Sequence, residues 1–269
     1  DTVVFVNNGD IEKVYDLELK VKVPTGMTES DLARPVIEIR NFENNVLEHE
    51  IYTFGEENVI VPVQKRGEKV GIEKLGLKIS APQVSQLLFY LEILHKWNNA
   101  YNLTSVRDRD QMVVTHILDS LSIAPLIEGK SLLDAGTGAG LPGIPLAILY
   151  PDRHFTLLDS NGKKIRFIFQ VKNQLSLKNL TEVQCRLEDY KPKVLFDAIT
   201  SRALSSLSDM TQKTKHLLKK EGKFYAMKGC LPRQELSMLS KHYKVIGSHK
   251  LLVPGIKSDR HLIEIESHN

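Results

Sequence analysis

The chain has 269 residues, 42% of them hydrophobic and 26% charged, a balance that suits a soluble globular protein of one large or two smaller domains. It excludes collagen-like, wholly disordered and disulfide-scaffold classes, and no apolar run approaches the roughly 20 residues that a membrane span needs. The net charge of +3 is unevenly spread: residues 1–66 hold 13 acidic and 7 basic residues, leaving 20 acidic and 29 basic for 67–269, so an acidic unit precedes a basic one suited to a polyanionic partner.

The chain opens on Asp1 without a signal-peptide pattern, as a fragment or a processed chain does. Cys185 and Cys230 stand apart with no CxxC spacing, so reduced thiols, no metal and a cytoplasmic location are expected. Residues 1–66 read as an acidic β-rich module. Asp16–Val23 alternates polar and apolar strictly, Val3–Val6 is a short apolar run, and Asn7-Asn8-Gly9-Asp10 offers the positive-φ positions of a hairpin. Val36–Ile39 and Val59–Val63 are further strand candidates, with a possible turn at Glu43-Asn44-Asn45.

From Gln64 to Lys69 the chain turns polar and charged, as a linker does. Residues 67–130 are expected to supply this linker and a set of helices. Ser80 is a good N-cap with Pro82 in the first turn, and Val84, Leu87, Leu88, Leu91 and Leu94 follow at helical spacing. A second helix is predicted over 109–124. From 131 onward strands alternate with helices, at Leu132–Asp134, His154–Asp159, Glu182–Cys185, Phe196–Thr200, Lys223–Met227, Tyr243–His249 and His261–Glu266. This alternation predicts an α/β, Rossmann-like fold, a mostly parallel sheet covered on both faces. The last two strands lack an intervening helix and should form an antiparallel hairpin at the sheet edge.

Asp134-Ala-Gly136-Thr-Gly138-Ala-Gly140-Leu141-Pro-Gly143 follows a strand and opens a helix, the place where backbone amides meet a ligand. Asp159 ends the next strand, positioned to accept from the ribose hydroxyls of an adenosine cofactor. A dinucleotide fingerprint wants glycine where Leu141 stands, and an acid at Asp134 suits a cationic amino-acid tail. S-adenosylmethionine therefore fits better than a nicotinamide or flavin dinucleotide, with a purely structural glycine turn as a third reading.

Four further segments make the pattern specific: His95-Lys-Trp97-Asn98-Asn99-Ala-Tyr101-Asn102-Leu-Thr104, His116-Ile-Leu-Asp119-Ser120, Leu157-Leu-Asp159-Ser-Asn161-Gly162-Lys163-Lys164 and Thr200-Ser201-Arg202-Ala203. With the glycine turn and the tail Asp259-Arg260-His261-Leu262, they resemble the bacterial 16S ribosomal RNA guanine-N7 methyltransferases, the RsmG or glucose-inhibited division protein B family, across residues 72–269. The resemblance implies methyl transfer from S-adenosylmethionine, leaving S-adenosylhomocysteine, to N7 of a guanine in the 530 loop, position 527 in the usual rRNA numbering. It carries cofactor contacts to Gly136, Leu141, Leu187, Glu188 and Arg202. Asp134, Gly138 and Asp159 join them from their positions beside the turn. Asn161 and Lys164 stand where the family often has Leu and Arg, and Lys keeps the charge without the bidentate fork.

Guanine N7 has a lone pair and no proton, so its alkylation needs no general base, and catalysis falls to positioning and electrostatics. Arg202 is the candidate for touching substrate and cofactor together. Arg107, Arg109, Lys163, Lys164, Arg166, Lys228 and Arg260 are candidate phosphate contacts, and 16S rRNA or the small ribosomal subunit is the expected partner of a monomer. Bland readings stand beside these. His95, Trp97 and Tyr101 also suit a core, His116 and Asp119 a structural pair, Lys163 and Lys164 a solvated face, and Cys185 a small buried hydrophobe. A dinucleotide-dependent oxidoreductase and a non-catalytic RNA-binding scaffold are the alternative functions. Val23–Arg40 resembles a stretch of archaeal PilT-like ATPases with PIN and KH modules, but without a Walker A motif, a PIN acid cluster or a KH loop. It implies no activity, and residues 1–66 read as a grafted module or an interaction domain.

Overall fold

The computed structural model describes residues 36–40, 46–51, 72, 74–202 and 206–267. The chain divides into two units, Asp1–Lys65 and Arg66–Asn269. In the first, β1 (Val36–Arg40) and β2 (Val46–Ile51) pair antiparallel, with the register shifting between Ile39 and Arg40. The other strand and turn expectations for this unit lie outside the described residues.

The second unit is built on a seven-stranded sheet: β3 (Ser131–Ala135), β4 (His154–Asp159), β5 (Leu180–Gln184), β6 (Phe196–Arg202), β7 (Leu218–Lys228), β8 (Tyr243–Lys250) and β9 (His261–Ser267). Their spatial order is β5-β4-β3-β6-β7-β9-β8. The first five run parallel; β9 pairs antiparallel with β7 and with the edge strand β8. The sequence pattern anticipates all seven strands, and their bounds move by a few residues. The largest change is in β7, which starts at Leu218 rather than Lys223 because Leu218 pairs with Phe196 across an irregularity in register.

Adjacent residues on one strand belong to opposite cores. Leu132, Leu157, Ala198, Tyr225 and Leu262 face one cluster; Leu133, Leu158, Ile199, Ala226 and Ile263 face the other. The pleat sends neighbouring side chains to opposite faces, and apolar residues at both parities bury both. The first face carries α1 (Ala81–Tyr101), a helical rod from α2 (Arg109–Met112) through a π-helical segment (Val113–Leu118) to α3 (Asp119–Leu121), then α4 (Gly143–Leu149) and α5 (Gly162–Gln174). The second carries α6 (Leu207–Thr214) and the short α7 (Arg233–Ser237). The predicted helix over 109–124 therefore ends three residues early, and its middle widens into a π turn, which periodicity alone does not reveal.

Polar side chains tie the first helices to the sheet layer. Gln83 accepts from the Ser80 amide at 3.0 Å and donates to the carbonyls of Ile148 and Leu149 at 2.9 and 3.0 Å, so one amide serves the start of α1 and the end of α4. Buried Asn98 donates to the Val106 carbonyl and accepts from the Thr104 amide, both at 2.9 Å. Together with Arg107, which donates to the Asn98 carbonyl at 2.8 Å, it folds the chain sharply back after α1. Phe167 of α5 is fully buried between Tyr90 and Trp97 of α1. Removing that ring leaves a cavity between two helices, so Phe167→Ala should cost about 3–5 kcal/mol in urea unfolding; a loss below 1 kcal/mol would show that this packing is dispensable.

Candidate active site

The sheet reverses its winding between β3 and β6. The chain adds β4 and β5 on one side and β7 on the other, and open α/β sheets bind ligands beyond the strand ends at such a point. Asp134 of β3 lies in register with Thr200 of β6, so the glycine turn and Arg202 leave the same edge of the sheet.

The turn is held from several directions. The amides of Gly136 and Thr137 donate to the Leu158 carbonyl at 2.9 and 3.0 Å. The Gly138 amide donates to Asp159 Oδ2 at 3.0 Å, and the Asn161 amide to Oδ1 at 2.9 Å. Lys164 Nζ lies 3.3 Å from the same Oδ2. Asp134 Oδ2 accepts from Thr137 Oγ1 at 2.6 Å and from the Gly143 amide at 2.8 Å. Its Oδ1 is buried without a partner among the described residues. On the α1 side the buried Tyr90 hydroxyl donates to the Ala139 carbonyl at 2.8 Å, and burial pushes that phenol far above its ordinary range.

The glycines of the turn have different jobs. A Cβ on Gly140 would strike Ile144, and one on Gly143 would strike Leu157 and the Asp134 carboxylate, so both are required by internal packing. Gly138 has φ +62° and open space where its Cβ would be. Asp159 uses three of its roughly four lone-pair sites on protein donors, leaving acceptor capacity for a hydroxyl.

Beyond β6, Arg202 donates through one Nη to the Thr115 carbonyl at 2.9 Å and to Asp119 Oδ2 at 3.1 Å. Arg260 donates through Nε to Asp119 Oδ1 at 3.1 Å. His116 is buried, with Nε2 2.9 Å from Thr104 Oγ1 and Nδ1 3.4 Å from Thr115 Oγ1. Burial, with the Arg202 charge, pushes its pKa down to about 4, so the ring is neutral at pH 7. His116 and Asp119 do not pair with each other; each holds a different partner across the π segment.

Residues 83–263 match the family model of rRNA small subunit methyltransferase G. Proteins of that name from Salmonella paratyphi B and Salmonella typhimurium are each 50% identical to the chain over 192 residues, covering 71% of this chain and 93% of theirs. The chain belongs to the rRNA small subunit methyltransferase G family. A glycopeptide N-methyltransferase, MtfA, solved with S-adenosylhomocysteine, superposes with a TM-score of 0.50 over 56% of this chain and 87% of its own at 12% identity, a likeness of fold.

The expected site residues fall into three groups. Asp134, Gly136, Gly138, Leu141 and Asp159 form or hold the turn; Leu141 is buried, and its amide donates to the Thr137 carbonyl. Leu187 and Glu188 lie on a short 3-10 turn (Leu187–Asp189). Leu187 is buried in the second core, and Glu188 is exposed, 3.6 Å from Lys213. Its own backbone amide and then Lys213 hold the Glu188 carboxyl below the usual range. Arg202 and Arg260 meet on Asp119. The remaining cations are dispersed. Arg107 donates to Asn98 and Asn102, Arg109 pairs with Glu92, and Lys228 holds both oxygens of Glu235 at 3.1 and 2.8 Å. Lys163 and Arg166 are exposed on the first turns of α5. Asn161 explains one departure from the family pattern: its side chain accepts from the Lys163 amide at 2.9 Å and caps α5.

Trp97 is partly buried against the first core, while Tyr101, its ring tilted by 34° against Trp97 at 5.1 Å, is exposed. Cys185 is half-buried against the second core. Tyr90 and Thr137 are the site residues that sequence reasoning missed. Tyr90 sits in an apolar helical stripe, where a hydroxyl on the buried face was its one distinguishing signal.

Asp134 also makes the stability of the turn depend on pH. Burial pushes its carboxyl up to about 6 from an ordinary 3.8, against the opposing hydrogen bonds of Thr137 and Gly143. Between those values the folded state binds more protons than the unfolded state, so this group's contribution to stability falls as pH rises and is level above the window. The unfolding free energy of the native protein minus that of Asp134→Asn should therefore decline from about pH 4 to about pH 6 and then flatten. A difference that is constant over that range, or that rises, would refute the raised carboxyl.

Proposed function

We propose that this chain methylates N7 of a guanine in the 530 loop of 16S rRNA, using S-adenosylmethionine held by the glycine turn. The observation that carries the reading is the turn itself: an open Gly138 approach, an unpartnered buried Asp134 oxygen and Arg202 at one edge of the sheet, in a chain of the rRNA small subunit methyltransferase G family.

When bound, S-adenosylmethionine supplies an electrophilic methyl group on a sulfonium centre. Gly136 and Gly138 let the backbone pass close to it, and Asp134 offers its free oxygen to the cationic amino-acid tail. Asp159 accepts from the ribose, and Leu187 and Glu188 border the adenine. Arg202 orients the RNA beside the methyl group. No side chain has to remove a proton, because N7 carries none; the chain's task is to fix distance and line of attack. Lys163 and Arg166, exposed at the start of α5, hold RNA phosphates next to the turn, with Lys164 beside them on Asp159. The rRNA or the small subunit is the substrate, and the protein works as a cytoplasmic monomer. Residues 1–66, acidic and net negative, form a separate module to which no RNA contact is assigned, since an acidic surface repels RNA.

Incubation with labelled S-adenosylmethionine and 16S rRNA or 30S particles from a strain lacking the modification tests this reading. Label should appear as 7-methylguanine in the 530 loop, and no incorporation would overturn the reading. Calorimetry should give binding to S-adenosylmethionine and none to NAD. Asp159→Ala should weaken S-adenosylmethionine binding about tenfold or more, the scale of a lost charge-assisted hydrogen bond; an unchanged affinity would remove its ribose role.

A further inference from the structure

Arg202 and Arg260 are 58 positions apart in the sequence and come from different elements, yet one buried carboxylate joins them. Asp119 is 5% exposed. Its Oδ2 takes Arg202 and its Oδ1 takes Arg260, each at 3.1 Å. The rest of the arrangement fixes both guanidinium planes. Arg202 also donates to the Thr115 carbonyl in the π-helical segment, and the second nitrogen of Arg260 donates to Ser258 Oγ and the Asp259 carbonyl, both at 2.9 Å. Two positive charges thus share one negative charge, and both arginine side chains remain partly exposed. Nε and one Nη of Arg202 and one Nη of Arg260 have no partner among the described residues. A pair of guanidiniums fixed on one carboxylate, each with an unused donor, is the chemistry that recognises a phosphodiester.

Resting on the function proposed above, we infer that Asp119 is a positioning residue for methyl transfer. It holds Arg202 and Arg260 as one clamp for the RNA phosphate flanking the target guanine, and it acts only through those two arginines. Coulomb's law and positioning give opposite signs for the loss of its charge. If the arginines acted only as a diffuse positive field, removing the carboxylate would raise the local charge and tighten RNA binding. If their orientation matters, the same change frees both side chains and weakens binding.

The experiment is Asp119→Asn in the full-length protein, with RNA kinetics at saturating S-adenosylmethionine and cofactor affinity by calorimetry. The KM for RNA should rise about tenfold, on the scale of a misplaced phosphate contact, and by more than any loss of S-adenosylmethionine affinity, which Asp119 reaches only through Arg202. Arg260→Lys keeps the charge but loses the fork. It should also raise the KM for RNA, and the double variant should be no worse than the more severe single variant, because the two residues act as one unit. RNA affinity in Asp119→Asn equal to or tighter than wild type overturns the inference. If that variant fails to fold, Arg260→Lys decides, and an unchanged KM overturns it. Wild-type methylation of the same RNA separates the two proposals. Its absence removes the function reading and this inference together, whereas its presence with unaltered variants removes this inference alone.

Discussion

Two carboxylates at the ends of adjacent strands hold the turn on which the site depends. Asp134 closes on Thr137 and Gly143, and Asp159 closes on Gly138 and Asn161. Unpaired amides buried beneath such a turn would each cost about 1–3 kcal/mol. Charged acceptors meet that need and do so without side-chain bulk above the turn, which leaves Gly138 open. The Asp134 carboxyl carries the strain of the arrangement, because it is wholly buried and only one of its oxygens is satisfied. A cationic group against the free oxygen would relieve the desolvation that raises its pKa, so this burial favours the proposed ligand.

Tyr90 extends this constraint beyond the sheet. Its hydroxyl reaches the Ala139 carbonyl from α1, and its ring packs against Phe167 of α5. The helices before β3 therefore share in shaping the turn, and the first core runs without a break from α1 through the sheet to α5.

The strands and the turn were readable in the sequence because local signals carry them. Apolar residues at both parities mark strands buried on two faces, and Asp-x-Gly-x-Gly after such a strand has few structural meanings. The long-range polar contacts were not readable. Nothing local says that Asp119 meets Arg260, 141 positions away, or that Lys228 turns to Glu235. A list of cations read from sequence treats each as a free charge, whereas the fold commits Arg107 to the end of α1, Arg109 to Glu92 and Lys164 to Asp159. The π segment was hidden for a related reason: it keeps an apolar helical pattern while shifting which backbone carbonyls face outward, and Thr115 offers its carbonyl to Arg202 from there.

The protonation states around Arg202 fit a reaction that transfers no proton at the enzyme. His116 is the nearby group whose ordinary pKa lies closest to neutrality, and burial together with the Arg202 charge keeps it neutral and bound to Thr104. Tyr90 is held protonated by burial. A general base needs a pKa near working pH and reach to the proton it takes; neither group meets the first requirement, and Asp134, which burial pushes up to about 6, is buried with one oxygen committed to Thr137 and Gly143. What the structure offers is fixed geometry: turn amides pinned by Asp134 and Asp159, and guanidiniums pinned by Asp119. Both halves use a buried acid to orient groups that, on the proposed function, meet the ligand. The proposed alkylation of a lone pair that is already free requires that kind of site, because its barrier lies in bringing sulfonium and nitrogen into line and not in moving a proton.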